Sequence, residues 1–144
     1  MWAKEKASEI IKKLTGKIEQ GIIYEYKDSK LVMEFYGDYD HGNFQSYYVF
    51  AAIRNFAGEG SLTLRKSDIV QYKKTINSML ETLSGKLRID DGESDDFLEF
   101  EFTDSLNPHV FVRGKLGGYK ILPVMSFEFE ADPTILSELK KALR

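Results

Sequence analysis

Five carboxylates crowd the seven residues Asp90–Asp96 in RIDDGESDDFLEFEFTD, and four more alternate along the runs that follow, at Glu99, Glu101, Glu128 and Glu130. Two chemistries use such groups. Clustered carboxylate oxygens hold hard cations, and a facing pair can cleave a glycosidic bond by acid–base catalysis. A calcium loop of the EF-hand type needs alternating ligands with glycine sixth and glutamate twelfth. Counted from Asp90 the glycine falls third, and from Asp38 it falls fifth, so neither stretch fits. A solvent-exposed turn is the expectation for Asp90–Asp96.

The alternating glutamates meet a basic strand. VFVRGKL, residues 110–116, places Arg113 and Lys115 on one face, because strand side chains alternate. If FLEFEF, VFVRGKL and SFEFE form a meander, Leu98, Phe100, Phe102, Val110, Val112, Phe127 and Phe129 point inward together. The outer face then carries a glutamate–basic–glutamate ladder. Carboxylates neutralised in this way keep ordinary or lowered pKa values, whereas a general acid requires a raised one.

Other catalytic groups are sparse. The only histidines, His41 and His109, sit beside turn residues Gly42-Asn43 and Asn107-Pro108, with no HExxH spacing. No GxSxG elbow and no phosphate-cradling glycine loop is present. The chain has no cysteine, which excludes disulfides, thiolate nucleophiles and cysteine-bound zinc. No catalytic residue, cofactor or metal site is expected.

The elements that must position these residues follow from periodicity. A chain of 144 residues, 42% hydrophobic, suits one α+β domain, residues 1–144, built as an antiparallel sheet with an inserted amphipathic helix. Residues 1–21 read as an appended N-terminal amphipathic helix, with Ala3, Ala7, Ile10, Ile11, Leu14 and Ile18 at spacings of three and four. In the inserted helix Ile69, Tyr72, Ile76, Met79, Leu80 and Leu83 form one stripe, with Ser67 as cap and Gly85 as exit. Asp132-Pro133 opens a C-terminal helix whose Ile135, Leu136, Leu139 and Leu143 face inward.

Strands are expected at Leu31–Tyr36, Tyr47–Phe56, Ser61–Leu64, Lys86–Ile89, Phe97–Thr103, Val110–Leu116 and Tyr119–Glu130. DYDHGN and Ala57-Gly58-Glu59-Gly60 read as turns, and Gly117-Gly118 as a tight hairpin. Pro123 calls for a bulge or an edge. The aromatic group Phe35, Tyr36, Tyr39, Phe44, Tyr47, Tyr48 and Phe50 reads mainly as core, with the tyrosines near the turn able to serve recognition.

Charge is unevenly spread. From Gly85 to Asp104, Lys86 and Arg88 stand against eight acidic residues, a balance of −6 within a chain of −3. No basic stripe suited to phosphates is apparent, so no direct nucleic-acid binding is expected. No apolar run approaches a membrane span, and the charged N-terminus lacks a secretory core, so a reducing cytoplasm is the simplest compartment.

The order FAGEGSLTLRKSDIVQYKKTINSMLETLSG, FLEFEFTD, HVFVRGKL and SFEFEADPTILSELKKAL resembles the WapI-type immunity proteins that protect bacteria from polymorphic contact-dependent toxins. The likeness runs over residues 45–143. It rests on Phe56, Gly58, Leu62, Leu64, Asp68, Ile69, Leu80, Leu83, Leu98, His109, Val110, Val112, Gly114, Leu116, Phe127, Phe129, Asp132 and Leu139. The chain departs from that pattern in its N-terminal helix and in Pro133, where the family often has Gln-Ser after the last aspartate.

The resemblance implies a non-catalytic protein that binds and neutralises a cognate toxin, many of which are basic nucleases. On that reading Asp90, Asp91, Glu93, Asp95 and Asp96, with Tyr39 and Tyr47, form the partner-binding surface. The alternative is a module that takes a small ligand or peptide at the tyrosine-rich turn.

Overall fold

The computed structural model describes residues 21–117 and 124–144. In chain order the elements are β1 (Ile22–Tyr26), β2 (Ser29–Tyr39), β3 (Phe44–Ile53), β4 (Phe56–Arg65), α1 (Lys66–Thr82), β5 (Lys86–Asp90), β6 (Phe97–Phe102), β7 (Val110–Leu116), β8 (Met125–Ala131) and α2 (Thr134–Ala142). The class is α+β, as expected, but the strands form two sheets of four rather than one, in the orders β1-β2-β3-β4 and β5-β6-β7-β8. All pairs are antiparallel. The expected N-terminal helix, the Gly118 half of the hairpin and the Pro123 bulge fall outside the described residues.

One strand escaped the sequence reading. β1 is short and pairs with β2 through a turn in which Lys27 adopts φ +53°. The expected Ala57–Gly60 turn is also wrong, because those residues run inside β4. The reversal is the two-residue loop Arg54-Asn55, with Arg54 at φ +57°, directly between the paired Ile53 and Phe56. The glycines serve close approach instead. A Cβ on Gly58 would meet Met125 at 2.7 Å, and one on Gly60 would meet Asp96 Oδ2 at 2.7 Å. β4 needs them to lie against the second sheet.

Helix α1 buries Ile69, Ile76 and Met79 as its period requires, while Tyr72 and Leu80 are partly covered. Its caps differ from expectation. Arg65, not Ser67, takes the first extended position, and no side chain caps the helix. Leu83 adopts the left-handed exit conformation at φ +52° and is 47% exposed, so it leaves the stripe. In α2 the cap position falls on Pro133 rather than on the expected Asp132, whose side chain nevertheless bonds the first helical residue. Asp132 Oδ1 accepts from Thr134 N at 2.8 Å and from the Thr134 hydroxyl, and these bonds hold its carboxyl below the usual range. Ile135, Leu136, Leu139 and Leu143 are all buried.

The inner faces of both sheets and both helices share one apolar cluster, from Leu31, Tyr47 and Leu62 through Ile76, Phe100, Val112 and Leu136. Each side chain of that size contributes roughly 1.5–3 kcal/mol on full burial. Tyr47 sits at the junction. Its hydroxyl donates to Gln45 Oε1 at 2.7 Å and accepts from Arg144 N at 2.9 Å, which ties the C-terminus to β3.

Candidate functional site

The meander β6-β7-β8 forms as the alternation required. Leu98, Phe100, Phe102, Val110, Val112 and Phe127 are buried, and Phe129 packs against them. On the other face Arg113 lies opposite Glu99 and Glu128 in register. Its Nη1 donates to Glu99 Oε2 and Glu101 Oε1, both at 3.3 Å, and its Nε stands 3.7 Å from Glu128. Lys86 Nζ adds a contact of 2.9 Å to Glu99.

Glu99 is 6% exposed, yet its pKa is lowered, first by the hydrogen bond from Lys86, with Arg113 adding to it against the opposing effect of burial. That direction is the reverse of a general acid's. Lys115 does not join the ladder as expected. Its register partners are Phe97 and Ser126, so its nearest carboxylate is Asp95 at 4.0 Å.

The acidic run divides in two. Asp90, Glu93 and Asp95 are exposed, but Asp91 and Asp96 are 7% and 2% exposed, which corrects the expectation of a wholly solvated turn. The reason is backbone chemistry at a sheet edge. Asp91 Oδ1 accepts from Thr63 N at 2.7 Å, and Gly92 N donates to Thr63 O at 3.0 Å. Ser94 Oγ donates to Asp91 Oδ2 at 2.6 Å, and Asp96 Oδ2 accepts from Gly117 N at 3.0 Å. Buried backbone groups demand such partners. Two of the five proposed contact carboxylates therefore staple the loop to β4 and β7.

Tyr47 is likewise removed from the proposed surface, since it is fully buried. Its phenol is raised above the usual value by burial, against the hydrogen bond from Arg144. The aromatic group splits by strand parity. Tyr47 and Phe50 point to opposite faces of β3 and are both covered, while Tyr36 and Tyr39 are 53% and 49% exposed near the end of β2.

What remains exposed comes together. Tyr39, Asp90 and Glu93 line one open cleft of about 670 Å³ with Tyr36, Asp40, Asp68 and Tyr72. The cleft runs between the β2–β3 turn, the start of α1 and the loop after β5, and its floor includes Ser46, Ser61 and Thr63 of β3 and β4. Among the described residues, four carboxylates on its walls face a single guanidinium, Arg65. Asp90 is also held by Arg88 at 2.9 Å. Burial raises the Tyr72 phenol, with the Asp68 and Asp90 carboxylates adding to the shift, so the ring stays a neutral hydrogen-bonding group. Asp68 and Tyr72 were missed by sequence reasoning. Their signal was present, since residues four apart share a helix face.

His41 lies in the β2–β3 turn and His109 precedes β7. Among the described residues no group of three or more histidine, aspartate or glutamate side chains could hold a metal ion. No helix among them is long and apolar enough to cross a membrane. Compared with protein-family models, curated proteins and solved structures, the chain gives no match in any of the three.

Proposed function

We propose that this chain is a non-catalytic immunity protein of the WapI type, which neutralises a basic toxin domain by receiving its cationic side chains in the acidic tyrosine cleft. The observation that carries the reading is the convergence on one concavity of Tyr36 and Tyr39, Asp68 and Tyr72, and Asp90 and Glu93, three segments far apart in sequence. Tyrosine beside carboxylate suits a protein partner. The ring supplies contact area at small entropic cost, and the carboxylates meet lysine or arginine and steer encounter. Occlusion of a basic active site then needs no reaction on this side of the interface.

The test is titration of the purified protein with the toxin domain encoded beside its gene. One-to-one binding that abolishes toxin activity, weakened at least tenfold by Tyr39→Ala with Asp68→Asn, is the expected result. Full inhibition by that double variant would move the interface elsewhere. Saturable binding of a small molecule or peptide in the cleft, with no effect on the toxin, would favour the ligand-binding alternative.

A further inference from the structure

Register sets Tyr39, Phe44 and Arg65 side by side across β2, β3 and β4, in one row along the wall of the acidic cleft. Arg65 leans along that row, with its Cζ 5.7 Å from the centre of the Phe44 ring. The next ring, Tyr39, is left half exposed, and so is Tyr36. Asp40, Asp68 and Glu93 line the same cleft and make no ion pair among the described residues. Nor does Arg65 pair with any of them: the resident guanidinium is stacked on a ring, not bridged to a carboxylate.

Open rings beside unpaired carboxylates suit one cation better than the other. A guanidinium is planar and weakly hydrated, so it lies on an aromatic face while its edge donates to a carboxylate. An ammonium is a compact, strongly hydrated charge that gains from the carboxylates but little from the rings. The Arg65–Phe44 contact shows that this row takes a guanidinium on a ring face. Arg65 must also oppose a second cation in the same cleft, because like charges repel. A smaller hollow of about 310 Å³ shares Asp40, Phe44 and Arg65 with the cleft and reaches Asn43 and Ser67 at the start of α1. It gives the Arg65 side chain room to withdraw.

We infer that the cleft is selective for arginine side chains of a polypeptide partner, stacked on Tyr39 and Tyr36 beside Asp40, Asp68 and Glu93, and that Arg65 is an internal competitor that weakens this binding. The inference rests on the reading of this cleft as the contact surface for a basic protein. It adds which side chain the cleft takes and which residue holds the affinity down.

The test needs no toxin. Blocked hexaarginine and hexalysine peptides carry equal charge, so bulk attraction to a chain of net charge −3 is the same for both. Isothermal titration of the full chain is expected to show about tenfold tighter binding of the arginine peptide, the scale of one or two ring contacts. Tyr39→Leu should remove most of that preference, and Tyr39→Phe, which keeps the ring, should retain it. Arg65→Gln should tighten binding of both peptides by about threefold, the size of one like charge removed at partly screened range. Equal affinities for the two peptides, or a preference untouched by Tyr39→Leu, overturns the arginine assignment. Unchanged or weakened binding by Arg65→Gln overturns the competitor role, and no binding of either peptide overturns both. If the peptides behave as expected while the toxin is left active, the immunity reading falls and this inference stands. If the toxin is inhibited while the peptides are not distinguished, the reverse holds.

Discussion

Asp91 and Thr63, 28 positions apart, form the hydrogen bond that closes the edge of the first sheet: Thr63 N donates to Asp91 Oδ1 at 2.7 Å. β4 is the last strand of its sheet, so Thr63 turns an N–H and a C=O outward, and both would otherwise invite another strand. The acidic loop takes both, the second through Gly92 N. Its charge density thus has two origins, one structural and one available to a partner.

Removing that bond should be costly. Asp91→Ala strands the Thr63 amide and the Ser94 hydroxyl, and an unsatisfied buried group costs about 1–3 kcal/mol. Asp90→Asn breaks only the exposed pair with Arg88, worth roughly 0–1 kcal/mol. Urea unfolding should therefore rank Asp91→Ala well below Asp90→Asn. Equal midpoints would show that the loop is not a staple.

Gly114 gives a second stability prediction. It pairs with Phe127 across β7 and β8, and the ring lies over it, so that an added Cβ would meet Phe127 Cζ at 2.3 Å. Leu98 closes the other side at 3.1 Å. Gly114→Ala should destabilise by about 1–3 kcal/mol through overpacking, although alanine is the smaller risk at most strand sites. Restoration by Gly114→Ala with Phe127→Leu, measured in the same unfolding series, would trace the loss to that ring.

Much of this fold was legible where pattern is local. The meander, its inner residues and the Arg113 ladder follow from period-two alternation, and both described helices follow from spacings of three and four. What failed was glycine and charge. GEG in β4 looks like a turn, because the need for a strand to approach Met125 and Asp96 closely leaves the same letters. Asp91 and Asp96 look like their exposed neighbours, because the backbone amides that claim them lie on β4 and beyond β7. Of the candidate site, Tyr39, Asp90 and Glu93 were legible by residue type. Asp68 and Tyr72 could be set on one helix face by their spacing but not beside the loop, since that partnership exists only after α1 is placed.

Two glutamates should respond to pH in opposite senses. The Glu99 pKa is lowered from 4.5 by Lys86 and Arg113, so its contribution is full above that value and is lost as pH falls through the folded pKa. The Glu34 pKa is raised from 4.5 by burial, which outweighs the Arg144 charge, so stability is greatest below 4.5 and declines as pH rises through the folded pKa. Glu99→Gln should thus be less stable than the parent at pH 7 and converge with it in acid. Glu34→Gln should be more stable at pH 7 and also converge in acid. Parallel pH curves for the two variants would contradict both assignments.

Binding kinetics should separate the two roles of the acidic loop. Asp68, Asp90 and Glu93 line the cleft, whereas Asp95 is exposed outside it beside Lys115. Exposed charges at an interface act chiefly on the association rate, and truncation of a contact residue acts on dissociation. If the proposed function holds, replacing Asp68, Asp90 and Glu93 with their amides should slow association with the proposed toxin partner several-fold at low salt. The gap should narrow near 1 M, where screening acts within roughly 3 Å. Asp95→Asn should do less, and Tyr39→Ala should speed dissociation with little change in encounter. Stopped-flow measurement at two ionic strengths distinguishes these arms. If Asp95→Asn slows association as much as the triple cleft variant, the loop steers by bulk charge and the cleft is not the seat of the contact.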